Sequence, residues 1–262
     1  MISSNAKTIQ KSFTEQAKNF ETKSMSFTKQ EYLEHMVSCV NPQKSDTVLE
    51  VAAGTCICEK LPFSDNSFDI VISRLAFHHF QNPKRCFSEM ARVVKTGGKL
   101  VVIDMEAAEE ALRNTEDEIE ALRDPSHMRN LSKEEFTEMF RENHLIITAM
   151  DCTEIPVSLS AWLALTNTSA KISADILKRL EDDINGGHLT GFRPYQKNQE
   201  IYFNHRWLMM MGVKTFPCTA RMSKMAIMVF EDVDDELLTY FVRNLNRVLT
   251  YLLTKTPHQA IL

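Results

Sequence analysis

The sequence lacks any apolar run of the ~20 residues that a helix needs to cross a bilayer. Its N-terminal residues are polar and contain no apolar core of a secretory leader. Positive charge is not in excess either: the net charge is -5, so nucleic-acid binding is not expected. These absences favour a cytoplasmic protein without a membrane span, whose partners are small molecules or other proteins.

Two further absences concern motifs. No complete Gly-x-Gly-x-x-Gly occurs, which argues against a nicotinamide-dependent dehydrogenase. The six cysteines do not form a disulfide framework of the kind found in short secreted chains. Cys56 and Cys58 are also too close together for a Cys-x-x-Cys pair. We therefore expect six reduced thiols and no metal site.

Three apolar segments rich in β-branched residues predict buried strands, at 46–52, 68–73 and 99–104. Between the second and third lies an amphipathic helix, with Asn82 as its N-cap, Pro83 at its first position and Gly97-Gly98 as its stop. Strands alternating with such helices predict an α/β fold with a mostly parallel sheet.

The rest of the chain predicts further helices and strands. We expect an acidic helix over 105–122 whose acid run is a solvated face, and a helix from Ser132 to Arg141 opened by a capping box with Glu135. Strands are expected at 144–153 and 200–212, with two helices between 157 and 183. Residues 213–262 are predicted to form a C-terminal extension, a strand followed by a long amphipathic helix, packed on a domain of residues 1–212.

Ligands of open parallel sheets bind beyond the carboxyl ends of the strands. The residues that follow the three predicted strands are 52–56, 74–79 and 104–106. Gly54 permits a tight turn after the first strand and a close approach of a ligand to the backbone. By spacing alone this turn is a weak signal.

Four segments in this order carry a more specific resemblance: VLEVAAGT at 48–55, LPFSDNSFDIV at 61–71, RLAFHHF at 74–80 and GGKLVVID at 97–104. Together they resemble the class I S-adenosylmethionine-dependent methyltransferases, in particular the methyltransferase type 11 branch that includes the ubiquinone/menaquinone biosynthesis enzymes. The resemblance extends over roughly residues 10–212. It implies a Rossmann-like sheet with flanking helices.

The resemblance also implies a cofactor site for S-adenosylmethionine. The loop would comprise Glu50, Ala52, Ala53, Gly54, Thr55 and Cys56. Arg74, Leu75 and His79 would line the floor of the cofactor and substrate site, and Asp104 would end the strand next to it. Cys56 stands where the family usually has a second glycine, which narrows the approach of the ligand.

The interval after this loop is short. Members of the family carry two more strands there, with the acidic residues that bind the ribose and lie near the adenine. Residues 53–67 are only 15 in number, enough for one tight connection. We therefore predict a sheet reduced in strand number, and we reject Asp69 as the ribose ligand because it lies on the next strand.

Two groups of residues are candidates for the chemistry. His78 and His79 could act as general bases, the alternative being that one packs and the other is solvated or orients backbone. Phe192, Arg193, Tyr195, His205 and Trp207 could hold the acceptor, the alternative being ordinary strand packing.

The predicted function is methyl transfer from S-adenosylmethionine to a small-molecule substrate. The alternative is a non-catalytic methyltransferase-like binding protein with an incomplete cofactor pocket. For the C-terminal extension we consider two roles. It could cover the sheet edge left bare by the missing strands, or it could pack outside and mediate a homodimer through its helix.

Overall fold

Helices cover both faces of a six-stranded sheet in the computed structural model, which describes residues 30–51 and 58–216. The helices are α1 (Gln30–Val40), α2 (Pro83–Val93), α3 (Arg113–Arg123), α4 (Lys133–Glu142), α5 (Leu159–Leu165) and α6 (Ala170–Ile184). The strands are β1 (Val48–Val51), β2 (Phe68–Arg74), β3 (Val94–Met105), β4 (Leu145–Ser158), β5 (Tyr195–Lys197) and β6 (Glu200–Lys214). A 3-10 turn, Phe77–His79, follows β2.

The strand order is β1-β2-β3-β6-β4, with β5 paired to part of β6. β1, β2 and β3 are parallel, whereas β6 runs antiparallel to β3, β4 and β5. The expected Rossmann-like, mostly parallel sheet with flanking helices is thus confirmed. β1 pairs directly with β2, and among the described strands it has no neighbour on its other side.

β3 lies at the centre of the sheet because its apolar residues contact a core on each face. Residues 100–105 are all buried. On one face, Leu100 and Val102 pack with side chains of α2 and α4 such as Phe87 and Phe140. On the other face, Val101 and Ile103 belong to a second core formed with α1, α3, α5 and α6. The result is a three-layer arrangement of helices, sheet and helices.

The predicted helix caps are present. The Asn82 side chain accepts a hydrogen bond from the backbone N–H of Arg85, and Pro83 is the first residue of α2. Ser132 and Glu135 form the capping box at the start of α4. Both caps satisfy backbone donors that a first helical turn leaves free. The predicted strands at 144–153 and 200–212 and the two helices between 157 and 183 also occur, with somewhat longer strands.

The prediction that Gly97-Gly98 stops the helix was wrong. α2 ends at Val93, and both glycines lie within β3, where the pairing with β2 shifts in register between Phe68 and Ile70. Gly97 has a φ of +80°, and a Cβ at Gly98 would lie 2.8 Å from the carbonyl oxygen of Asp69. The two glycines therefore allow an irregularity in the pairing of β3 with β2 and a close approach of the two backbones.

The acidic segment also differs from its prediction. The helix starts at Arg113 instead of 105, and its acid run is not wholly a solvated face, because Glu116 and Glu120 are buried beside Ile119. These two carboxylates lie four residues apart on the inward side of α3, so they share a face with the apolar residue between them.

The expectation of six reduced thiols was likewise wrong. Cys58 and Cys86 form a disulfide, which joins the residue after the 52–57 segment to α2. Both cysteines are buried. Cys39 and Cys152 are free, as predicted. A compositional argument of this kind cannot detect two cysteines that the fold brings together from 28 residues apart.

Several predictions fall on residues outside the described part of the chain: Ala52, Ala53, Gly54, Thr55 and Cys56 of the cofactor loop, and the strand and helix of the C-terminal extension. Among the helices that the structure describes, none has the length and apolarity required to span a membrane.

Candidate functional site

Asp104, at the carboxyl end of β3, organises the loop that follows β2. Its Oδ2 accepts hydrogen bonds from the backbone N–H groups of Ala76 and Phe77 at 3.0 and 2.7 Å. Its Oδ1 accepts the backbone N–H of Met105 at 2.8 Å and contacts His78 Nδ1 at 2.5 Å. One buried carboxylate therefore fixes two neighbouring strand tips relative to each other.

The contact between Asp104 and His78 is a buried ion pair. Burial opposes charge on both groups, but each is the other's counter-ion. For Asp104, burial works to raise the pKa, yet the charge of His78 and the backbone donors leave it below its usual value. For His78, burial works to lower the pKa, and the charge of Asp104 raises it above 6.5 overall.

His79 has the opposite character, although its ring centroid lies only 4.1 Å from that of His78. Its Nδ1 lies 3.1 Å from both the carbonyl oxygen and the hydroxyl of Ser126. Burial, followed by the charge of His78, lowers the pKa of His79 to about 3. His79 is therefore neutral at physiological pH. Both histidines are buried, so neither is the solvated member of the pair that the sequence suggested as an alternative.

The tips of β1 and β2 border the segment predicted to bind the cofactor. Glu50 is exposed near the end of β1, Arg74 is half-buried at the end of β2, and Leu75 is buried just beyond it. Leu75 has a φ of 51°, a left-handed backbone that turns the chain sharply after the strand. The Ser73 hydroxyl, next to Val51 in the sheet, is buried without a hydrogen-bond partner among the described residues.

The acidic side chains between β1 and β2 are engaged elsewhere. Asp65 pairs with Arg92 at 2.8 Å, and the nearest carboxylate oxygen of Glu59 lies 3.9 Å from Arg85. Both arginines belong to α2. Asp69, rejected as a ribose ligand, binds Lys95 and Thr47. No described residue of this interval is therefore an acidic group held ready for a ribose.

A cleft opens between α1 and the sheet, next to these tips, with an empty volume of about 490 Å³ including its mouth. Its walls are chiefly apolar, from Tyr32 and Met36 on α1 to Ile103, Ile155 and Trp207 on the sheet. At the mouth, His35 Nε2 lies 2.6 Å from Asp151 Oδ2 and ties α1 to β4. Arg74 brings a positive charge to the same cleft.

The structure divides the predicted acceptor residues among different surroundings. Trp207 lines the cleft under α1. His205 and Phe192 line a smaller polar cavity beyond Met105, and they pack around Trp162. Arg193 is exposed and pairs with Glu109, and the Tyr195 hydroxyl donates to Asn204 Oδ1 at 3.1 Å. The five residues therefore do not form one group.

The cleft residues of α1 and the buried carboxylates of α3 were not predicted from the sequence. Glu116 binds Arg206 at 2.9 Å, yet burial raises the pKa of Glu116 to about 7. Its spacing from Ile119 on one helix face was the signal that could have found it. Nothing in the sequence indicates which strands α1 covers. No metal-binding cluster of histidine, cysteine and acidic side chains occurs in residues 30–51 and 58–216.

Comparison with known protein families gives a match to the methyltransferase domain family over residues 12–102. Among curated proteins, an uncharacterized protein YafE of Escherichia coli is 38% identical over 111 residues, which are 42% of this chain and 54% of that protein. The uncharacterized methyltransferase YcgJ of Bacillus subtilis is 32% identical over 158 residues, 60% of this chain and 62% of its own length. The chain thus spans somewhat over half the length of these curated relatives.

Solved structures give the same likeness. The crystal structure of YcgJ is 30% identical with a TM-score of 0.55, over 61% of this chain and 69% of that chain. A putative methyltransferase from Bacillus halodurans has a TM-score of 0.61 at 22% identity, over 70% of this chain and 99% of that chain. The second likeness concerns the fold alone.

Proposed function

Because the chain belongs to the class I S-adenosylmethionine-dependent methyltransferases, we propose that it transfers a methyl group from S-adenosylmethionine to a small molecule. The observation that carries the acceptor class is the apolar cleft under α1, which adjoins the carboxyl ends of β2 and β3. A concave, mainly apolar site with a few charged groups is typical of small-molecule binding.

The cofactor would bind at the tips of β1 and β2. The described part of this site suits a polar ligand, because the Ser73 hydroxyl is buried there without a partner and Glu50 is an exposed carboxylate. The residues proposed to hold the cofactor are Glu50, Ala52, Ala53, Gly54, Thr55, Cys56, Arg74 and Leu75. When bound, S-adenosylmethionine supplies a methyl group activated by its sulfonium.

The cleft residues would orient the acceptor and exclude water. Tyr32 and Trp207 present aromatic surfaces, with ring centroids 6.3 Å apart, and suit an acceptor with a flat or apolar body. Arg74 would attract an anionic or hydroxyl-bearing end of that acceptor. Phe192, Arg193, Tyr195 and His205 remain proposed substrate residues, although none of the four lines the cleft under α1.

His78 and His79 remain the proposed catalytic residues. His78 is the better suited to move a proton, because its contact with Asp104 orients the ring and strengthens the base. The pKa of His79 is lowered to about 3, which makes it a weak base. A base is needed only if the acceptor loses a proton during transfer.

Calorimetric titration of the full chain with S-adenosylmethionine tests the first half of the proposal. We expect saturable binding. No measurable heat at millimolar cofactor would favour the alternative of a non-catalytic binding protein, which the comparisons do not favour.

Filling the cleft tests the second half. Thr153 is a half-buried residue of the cleft wall on β4, so Thr153→Trp should abolish acceptor-dependent release of S-adenosylhomocysteine while cofactor binding stays within about twofold. Thr148→Trp is the matched control, because Thr148 is exposed on the same strand and does not line the cleft. Equal turnover in both variants would place the acceptor elsewhere.

A cytoplasmic location, a homodimer formed through the C-terminal helix and the absence of nucleic-acid partners also remain predictions. The division of the chain into a domain of residues 1–212 and an extension of residues 213–262 is likewise still a prediction.

A further inference from the structure

A second, polar cavity lies beyond the carboxyl end of β3, separate from the cleft under α1. It is lined by Met105 at the end of β3 and Glu106 just after it, by Glu116 and Glu120 from α3, and by Asn130, Phe192, Asn204, His205 and Arg206. Its empty volume is about 250 Å³ including its mouth, and its free interior has room for a group about the size of one water molecule. The roles proposed above do not explain why so many polar side chains are buried here.

Three buried atoms on this wall have no hydrogen-bond partner among the described residues: Glu120 Oε2, Asn130 Oδ1 and His205 Nε2. Glu120 and Asn130 are only 1% and 2% exposed. Arg123 forms an ion pair with Glu120 Oε2 at 3.4 Å but does not complete a hydrogen bond. Burying such groups unpaired is costly, which points to an occupant that supplies the missing bonds.

The missing bonds are ones that the occupant must donate. Carboxylate and amide oxygens accept hydrogen bonds. Burial lowers the pKa of His205 to about 4, so its ring is neutral and Nε2 can accept when the proton is on Nδ1. Arg123 Nε and Trp162 Nε1 are buried donors that also lack a hydrogen-bond partner among the described residues, but they belong to residues that do not line the cavity. The guanidinium of Arg206 is occupied by Glu116 and by the carbonyl oxygens of Glu106 and Gly191.

The charge on the lining favours a cation. Three carboxylates, Glu106, Glu116 and Glu120, line the cavity against two guanidinium groups: Arg206, which binds Glu116, and Arg123, which pairs with Glu120 at 3.4 Å. The Phe192 ring adds an aromatic wall, which attracts cations at its face. Of the small cations, a primary ammonium group has three N–H donors, fits a space of this size and matches three unpaired acceptors.

We propose that this cavity is a binding site for the ammonium group of a primary amine, held by Glu120, Asn130 and His205. The site does not depend on the methyl-transfer function proposed above, because it is defined by its own unpaired acceptors and would bind an amine in a protein without that activity.

Titration calorimetry of the full chain with ethylammonium chloride tests the proposal, at an ionic strength held constant with potassium chloride. We expect saturable binding to the wild-type chain. Ethanol, which lacks the charge, and tetramethylammonium, which lacks the N–H donors, should each bind at least about tenfold more weakly. Equal binding of tetramethylammonium, or no saturable binding of ethylammonium, would overturn the assignment and leave water as the sole occupant.

Variants locate the site. Glu120→Gln should weaken ethylammonium binding by about tenfold or more, because it removes the charge and one acceptor. Glu118→Gln, on the exposed side of the same helix, should change it by less than about twofold. Asn130→Ala removes a different acceptor and should also weaken ethylammonium binding. If circular dichroism finds Glu120→Gln unfolded, the affinity of Asn130→Ala for ethylammonium tests the site instead. Unchanged affinity in the folded variants would contradict the proposal.

Discussion

At the scale of single residues, Asp104 has the most consequential environment in the described chain. Its carboxylate is 1% exposed, accepts three backbone N–H groups and pairs with His78. The sequence located Asp104 at a strand tip, because an acid ending an apolar strand is easily seen. Its partners could not be predicted, since Ala76, Phe77 and His78 lie 26 to 28 residues earlier and meet it only in the folded sheet.

Asp104→Asn should therefore destabilise the protein strongly. The change removes the negative charge that compensates His78 and turns part of the acceptor group into a donor facing backbone N–H groups. We expect a loss of about 3–5 kcal/mol in the free energy of unfolding, measured by urea denaturation. Asp65→Asn is the control. The Asp65 side chain is 69% exposed, so its ion pair with Arg92 should contribute less than about 1 kcal/mol to the free energy of unfolding. A small loss for Asp104→Asn would refute the structural role given to this carboxylate.

The two histidines predict opposite pH dependences of stability. The pKa of His78 is raised in the folded protein, so its stabilising contribution is complete below its usual value of 6.5 and is lost as the pH rises above that value. The pKa of His79 is lowered to about 3, so the unfolded chain binds a proton that the native protein excludes, and stability is lost as the pH falls below 6.5.

Urea denaturation across the pH range separates these effects. The difference in unfolding free energy between wild type and His78→Gln should shrink as the pH rises above 6.5, because the pKa of His78 is raised in the folded protein. The difference between wild type and His79→Gln should instead shrink below about pH 6.5. Parallel curves for the two variants would show that the environments assigned to the two rings are wrong.

At the scale of secondary-structure elements, α1 forms one wall of the proposed acceptor cleft, and polar contacts with β3 and β4 add to the apolar packing that holds it there. At its C-terminal end, the carbonyl oxygens of Val40 and of the next residue, Asn41, accept hydrogen bonds from Lys99 Nζ at 2.7 and 3.3 Å. A cation at this end of a helix also interacts favourably with the helix dipole. A second polar tie is the contact between His35 and Asp151 at the mouth of the cleft.

Lys99→Met should loosen α1 without disturbing the sheet. Loss of the cation costs up to about 1 kcal/mol locally, so backbone amides of residues 30–40 should exchange with deuterium up to about fivefold faster. Lys95→Met is the matched control on the same strand, because the ammonium group of Lys95 binds Asp69 on β2. Exchange that accelerates equally in both variants, or throughout the protein, would count against a specific tie between β3 and α1.

Element boundaries show where local patterns are sufficient. Caps are local, so Asn82, Pro83 and the Ser132–Glu135 box marked the starts of α2 and α4 correctly. Gly97-Gly98 has the same composition as a helix stop, but the pairing of β3 with β2 uses it within the strand. The polar residues Glu116 and Glu120 concealed the inward face of α3, because their burial depends on Arg206 and Arg123, which local periodicity does not indicate.

At the scale of the whole molecule, strand existence was predictable but strand pairing was only partly so. Three parallel strands follow from apolar segments joined by a crossover helix. The insertion of antiparallel β6 between β3 and β4 depends on contacts across about a hundred residues of sequence, for example between Met105 and Trp207. The resemblance to a family, rather than any single pattern, carried the prediction of a shared ligand edge.

The disulfide between Cys58 and Cys86 is a long-range tie of the same kind, and it fixes the residue that follows the proposed cofactor loop onto α2. Closing a loop across 28 residues should stabilise the fold by roughly 3–4 kcal/mol through the unfolded chain. Peptide mapping after alkylation without reductant should recover Cys58 joined to Cys86, with Cys39 and Cys152 alkylated. Dithiothreitol should lower the stability of wild type and of a Cys39→Ser/Cys152→Ser control, but not that of Cys86→Ser. Alkylation of both Cys58 and Cys86 before reduction would mean that the tie does not form in solution, and the contacts of Arg85 and Arg92 with the carbonyl oxygens of Glu59 and Leu61 would then have to hold this segment to α2.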